Sequence, residues 1–316
     1  MSYIQKTKKI LIYCTNRTSL EIPESVTEIE DFAFKDCALL ETIIIPKSVT
    51  KIADGGLAFM RGFAFMNCTA LNRIKVSSDN DYFTSEDNVL YTKDKNKLIR
   101  CTNRIYFDIP NSVTDIGNGA FEGCTSLEAI TIPNSVSTIG YNAFKGCTSL
   151  EAITIPNSVS TIGYNAFKGC TSLEAITIPN SVTNIGHDAF KGCTSLEAIT
   201  IPNSVTNIGH DAFEGCTSLE AISIPESMTH ISFKAFSHCT SLSAFKIPNC
   251  VKSIEDRAFE DCTSLTTIQL PNSLEEIEWR TFQGCTALKT IIASRETFNK
   301  FRRRFPSNVQ WQELNP

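Results

Sequence analysis

The sequence predicts an α/β solenoid, with a parallel β-sheet on its concave face and short helical or 3-10 turns on its convex face. Three observations carry that reading. A 23-residue string recurs: CTSLEAITIPNSVSTIGYNAFKG fills 124–146 and again 147–169, while 170–192 and 193–215 differ from each other only at Lys191 versus Glu214. Within each copy a short stretch alternates apolar and polar residues and ends at a proline, the pattern of a half-buried strand and its stop. One copy cannot bury its own Ile, Val and Phe, so copies must stack, each closing the face of the last.

With 42% hydrophobic and 20% charged residues, 15 Gly and 12 Pro among 316 residues, the chain has the material of an ordinary folded core, which excludes disorder and collagen. Its 29 Lys and Arg against 34 Asp and Glu give a formal charge of −5. That leaves no basic excess to neutralise a phosphate backbone, so no nucleic-acid partner is expected. The start, MSYIQKTKKILIY, holds only a short apolar run from Ile10 to Tyr13. No uninterrupted apolar stretch approaches the ~18 residues that a membrane helix needs. Neither a signal peptide nor a membrane span is expected, nor membrane insertion by this chain.

Each element follows from its residues. In the copy that begins at Cys170, Leu173 to Ile178 reads as a strand with Ile176 and Ile178 turned inward. Pro179 has no amide hydrogen for a ladder, and Asn180 and Ser181 are turn formers, so the strand stops there. Val182 and Ile185 then precede a turn of helix over HDAFK, which Gly192 can end in a left-handed conformation before the next cysteine. Stacked copies pair their strands in parallel at a rise of about 4.8 Å, so equivalent side chains form columns.

Along the chain the pattern divides into an N-terminal hairpin cap (1–21), a short repeat array (22–76) carrying an apolar insertion at 56–63 that bulges from the return side, a β-hairpin interruption (77–108), a long array of 23-residue repeats (109–292) and a C-terminal helical cap (293–316). The interruption pairs NVLYT with KLIRC around KDKN, and ILIYCTNR at 10–17 matches KLIRCTNR at 97–104. In the cap, Phe298, Phe301 and Phe305 share one helical face and Arg302 to Arg304 the solvated one; an anionic ligand for those arginines is the weaker alternative.

The pattern I-P-x-S-V-x-x-I-x-x-x-A-F-x-x-C-x-x-L-x-x-I stands here as IPESVTEIEDFAFKDCALLETI from Ile22 and IPNSVTDIGNGAFEGCTSLEAI from Ile109, with six further regular copies. It resembles the BspA-like leucine-rich repeat family over about residues 10–292. The resemblance implies a leucine-rich-repeat right-handed superhelix. It also implies a cell-surface or extracellular protein, of bacteria or parasitic protists, that binds host or matrix proteins or other cells.

The residues that carry chemistry fall into columns. Ten cysteines, Cys37 to Cys285, begin copies of C-[TA]-x-L. They point one way, each with two equivalent neighbours, and read as buried thiols rather than disulfides, although a ~4.8 Å spacing falls inside the Cα window for pairing. No C-x-x-C cluster points to zinc. Glu128, Glu151, Glu174, Glu197 and Glu220 spread one carboxylate per coil along a solvated edge instead of converging on a calcium ion. Lys145, Lys168 and Lys191 form a second column on the return side, some of it expected close enough to offset the first weakly. His187 and His210, beside Asp188 and Asp211, imitate a catalytic pair, yet no nucleophile or oxyanion donor accompanies them, and Tyr141 and Tyr164 fill the same position in other copies. No catalytic residue, cofactor site or metal site is expected, and the chain reads as a non-enzyme.

What remains is surface. The strand residues that alternate outward are small and uncharged through most of the array: alanines paired with Thr131, Thr154, Thr177, Thr200 and Ser223, giving way to Lys246. This stripe is the expected partner-binding face of a protein-binding or adhesion module whose near-identical coils supply avidity. An intracellular structural scaffold of the same fold is the alternative, favoured by 13 cysteines with no disulfide framework.

Overall fold

The computed structural model describes residues 9–10, 17–55 and 62–314. The chain divides into two compact units, Met1–Thr148 and Ser149–Pro316. Each is a stack of β-coils paired in parallel, and a coil carries two strands where the sequence predicts one.

In the second unit the longer, front strands are Ala152–Thr154 paired with Ala175–Thr177, then Ala198–Thr200 with Ala221–Ser223, then Ala244–Lys246, Thr267–Gln269, Thr290–Ala293 and Gln310–Glu313 in one sheet. The first six end before an Ile-Pro pair, or its Leu-Pro equivalent at Leu270, as the missing proline amide dictates. The second strand is only two residues long. Asn184–Ile185 pairs with Thr161–Ile162 on one side and Asn207–Ile208 on the other, with the isoleucines buried beneath it.

The segment after that strand, expected to be helical, is a run of tight turns. Asp188 sits at φ 53° and Gly192 at 72°, and a right-handed helix admits neither. Amides released from a helical ladder donate instead to the next coil. The Phe167 N–H reaches the Ala189 carbonyl at 2.8 Å and the Gly169 N–H reaches the Lys191 carbonyl at 2.8 Å. The return side is therefore tied coil to coil by backbone hydrogen bonds, as the front is by its ladder.

Inside, every apolar repeat position becomes a column. Leu173, Val182, Ile185, Ala189 and Phe190 have no exposed surface, and Ile176 and Ile178 are buried. The phenylalanine rings stack face to face: Phe167 on Phe190 at 5.4 Å, Phe190 on Phe213 at 5.3 Å and Phe213 on Phe236 at 5.6 Å. The column cysteines are buried thiols. Cys193 donates its S–H to the Phe167 carbonyl at 3.2 Å, Cys216 to Phe190 at 3.2 Å and Cys239 to Phe213 at 3.3 Å. One shared orientation thus gives each thiol a carbonyl acceptor in the preceding coil.

The C-terminal end departs from the expected helical cap. Ser294 caps a helix over Arg295–Phe301, a 3-10 turn covers Arg302–Arg304, and the chain then returns as the strand Gln310–Glu313. Phe305 lies outside the helix in an extended conformation, which Pro306 imposes on the residue before it. Its ring is 5.2 Å from Phe282, so it adds another ring to the phenylalanine column. Phe298 is only partly buried, while Phe301 and Phe305 are buried.

In the first unit the front strands Ser19–Glu21, Thr42–Ile45 and Arg73–Val76 pair in parallel, as do the return strands Lys9–Ile10, Glu28–Ile29 and Lys51–Ile52. Three antiparallel strands follow, Phe83–Glu86, Val89–Thr92 and Lys97–Arg100. Asp87 and Asn88 at φ 48° and 62° make the first turn, the two positive values that tight hairpins demand. Lys97–Arg100 then pairs in parallel with the return strand Asp115–Ile116, which resumes the repeat. Arg100, 2% exposed, fastens the join: its guanidinium donates to the Gly119 carbonyl at 2.8 Å and the Cys68 carbonyl at 2.9 Å. Of the apolar insertion, residues 56–61 lie outside the described residues, as does most of the expected N-terminal hairpin. Phe63, expected on a bulge, is buried, and its ring fills the space beside Gly119 where a Cβ would stand.

Candidate binding surface

The alternation of the front strands turns isoleucines inward and leaves alanine and threonine outside. In the second unit Thr154, Thr177, Thr200, Ser223 and Lys246 are all exposed, and so are the alanines two residues before each. They recur every 23 residues, and Thr154 stands opposite Thr177 and Thr200 opposite Ser223, each pair in its own two-strand sheet. Glu151, Glu174, Glu197 and Glu220 are exposed beside them. Thr131 holds the same position in the first unit, opposite Asp108, with Ala129 opposite Tyr106. Tyr106 is 68% exposed, and its hydroxyl is 3.4 Å from Glu128. Sequence reasoning missed this pair; aligning CTNRIYFDIP with CTSLEAITIP, 23 residues later, finds it.

The lysine column lies on the return side, as expected, but its partners are not the front glutamates. Lys145 pairs with Glu122 at 2.9 Å, Lys168 with Asp188 at 3.0 Å and Lys191 with Glu214 at 2.6 Å, all on the return edge and away from the glutamate column. In the second unit this network holds Asp211 up at about 6, through burial and a hydrogen bond with Glu214. Glu214 itself is held down to about 2, its burial outweighed by hydrogen bonds from Asp211 and Lys191.

The histidines are structural neighbours. His187 and His210 stack at 4.7 Å, and His187 Nδ1 accepts the His210 backbone N–H at 2.8 Å. Burial and the neighbouring imidazole hold the His187 pKa below its ordinary value, which keeps that nitrogen available as an acceptor. Among the described residues no group of three or more His, Cys, Asp or Glu is arranged to hold a metal ion. No described helix is long and apolar enough to cross a membrane.

The BspA type leucine-rich repeat region matches residues 5–87, 92–217 and 183–309 of the chain. A leucine-rich repeat protein from Eubacterium ventriosum is 29% identical, with a TM-score of 0.62 over 86% of this chain; the chain spans only 65% of that protein. A leucine rich cell surface protein from Faecalibacterium prausnitzii is 27% identical, with a TM-score of 0.53 over 95% of this chain and 94% of its own. The leucine rich repeat protein of T. pallidum is 26% identical, with a TM-score of 0.51 over 72% of this chain and 96% of its own. No curated protein matches the chain.

Proposed function

The chain belongs to the BspA-type leucine-rich repeat family, and on that premise we propose that it is a non-catalytic binding module, displayed at a cell surface, whose front stripe engages a host or matrix protein. The observation that carries this reading is the repetition of small exposed residues at 23-residue intervals, from Thr154 to Ser223. A catalytic site needs unlike groups gathered at one point. Equivalent coils instead offer the same contact several times, which raises avidity without new chemistry. The likeness to a cell surface protein of Faecalibacterium prausnitzii supports the location.

The scaffold reading draws on the cysteines, since thiols are typical of reducing compartments. Burial weakens that argument: it pushes Cys193 and Cys239 up to about 12, leaving little thiolate to oxidise in any compartment.

Replacing Thr154, Thr177 and Thr200 together with Arg tests the front stripe. The matched control places Arg at Ser160, Thr183 and Thr206, exposed return-side positions with the same spacing. Binding to immobilised fibronectin, laminin and collagen is measured once both variants show wild-type circular dichroism and melting. The front variant is expected to lose about tenfold or more in affinity for whichever of these the wild type binds, and the control to keep it. Equal affinity in the front variant and the wild type would overturn the assignment.

A further inference from the structure

In the second unit the repeat lysines are neutralised; Lys168 and Lys191 have carboxylates at 3.0 and 2.6 Å. The C-terminal end is different. Between Arg295 and Arg304 stand Arg295, Lys300, Arg302, Arg303 and Arg304 with a single acid, Glu296. Among the described residues no carboxylate pairs with any of the five cations.

Aromatic rings hold the guanidiniums in place instead. Arg295 lies over Trp311 at 5.3 Å and Arg302 over Phe298 at 5.5 Å, and those two rings stack at 6.0 Å. A stacked guanidinium keeps its in-plane N–H fork available for a carboxylate, with its rotamer already fixed. Arg302 spends one donor on the Ser307 carbonyl, at 3.4 Å.

Beside these rings, among the described residues, runs a sheet edge with no further strand paired to it. Gln310–Glu313 ends its four-strand sheet. The Gln310 N–H donates inward to the Lys289 carbonyl at 2.7 Å and the Leu314 N–H to the Ala293 carbonyl at 3.0 Å. In a parallel ladder alternate residues face opposite sides, so Trp311 and Glu313 turn their backbone N–H and C=O groups away from the sheet. A strand added about 4.8 Å beyond would place every second side chain on the side of Trp311 and Glu313, where Arg295, stacked on the indole, faces the Trp311 end of the strand.

We propose that the edge of Gln310–Glu313, with Arg295 and Arg302, docks an extended acidic polypeptide segment as an additional strand. This rests on the reading of the chain as a protein-binding module. The edge selects a polypeptide, because a glycan or a lipid headgroup has no backbone ladder to offer. The unneutralised arginines select carboxylates.

The probe is a fluorescein-labelled dodecapeptide alternating Glu with Val and Thr, titrated with the whole chain by fluorescence anisotropy. Two further peptides carry N-methyl groups on one or the other alternate set of amides. One methylated set is expected to abolish binding and the other to spare it, since only one set faces the edge. R295Q/R302Q is expected to weaken the parent peptide about tenfold, and a peptide with Lys for Glu is not expected to bind. The methylated pair needs no variant, so the result stands even where the arginine substitutions disturb folding.

No binding by the parent peptide, or the same effect from both methylated sets, overturns the proposal. So does binding of heparin or phosphatidylserine vesicles that equals the peptide's and falls with it in R295Q/R302Q. A dimer in sedimentation that the peptide fails to dissociate also overturns it, because a second copy then fills the edge. If the peptide fails while Arg at Thr154, Thr177 and Thr200 still abolishes matrix binding, only this docking site falls.

Discussion

The thiol column makes a quantitative prediction about reactivity. Cys193 and Cys239 have no exposed surface, and burial pushes both thiols up to about 12. At about pH 8 such a group is thiolate roughly one part in ten thousand, against about a quarter for an ordinary cysteine. The thiolate is the nucleophile, so chemistry alone slows these sites about a thousandfold, before access is considered. Access slows them further, because a fully buried sulfur reacts only when its coil opens. Cys250 is exposed and should react at an ordinary rate. Ellman reagent on the native protein should therefore release one thiol quickly, or two if Cys14, outside the described residues, is open. The remainder should follow slowly, at a rate set by unfolding. In guanidinium without reductant the count should reach the full 13. Several fast thiols in the native state would refute burial, and a denatured count short by pairs would refute the shared orientation that gives each S–H its carbonyl.

Two further outcomes follow from the interior and the return edge. Phe190→Ala removes a fully buried ring stacked on Phe167 and Phe213, and should cost about 4–6 kcal/mol by urea unfolding, against less than about 1 kcal/mol for Thr177→Ala on the exposed front; equal costs would contradict the stacked interior. Asp211, raised from 3.8 to about 6, holds a proton that the unfolded chain has released, so its contribution is present at low pH and is lost as pH rises through that window. Glu214, lowered from 4.5 to about 2, contributes above that window and loses it as pH falls. Wild type should therefore lose stability relative to Asp211→Asn between about pH 4 and 6, and parallel pH profiles of the urea midpoint in the two proteins would contradict the coupled pair.

Periodicity made the columns legible because one position poses the same physical problem in every coil. The inward isoleucines, the proline stop at Pro179, the phenylalanine rings and the thiols are all consequences of that repetition. The conformation of the return was not legible from composition, since Ala-Phe-Lys suits a helix. Lys234 and Arg257, with no preference for left-handed backbone, sit at φ 53° and 59° where Asp188 sits at 53°. The neighbouring coil's carbonyls, rather than the local residue, therefore set the angle, and a single-copy reading cannot see them. Two signals were present and unread: Phe305 stands 23 residues after Phe282, and Tyr106 23 before Ala129. Each keeps its register while the surrounding string changes, so a search for repeated strings ends where a search for repeated positions continues.

The ionic edge exposes a deeper limit. A period places Lys191 in register with Lys168 and Glu197 with Glu174, but it does not say which two columns touch. That depends on the cross-section of one coil, which the left-handed residues Asp188 and Gly192 shape. They bring Lys191 to Glu214 and Asp211, at 2.6 and 3.5 Å, instead of to the glutamates beside the front strands. The front stripe consequently keeps a carboxylate column that the return-side lysines do not neutralise. A partner lying along Thr154 to Ser223 therefore meets small neutral residues flanked by negative charge, and a basic rim on that partner would raise the encounter rate in a salt-dependent way.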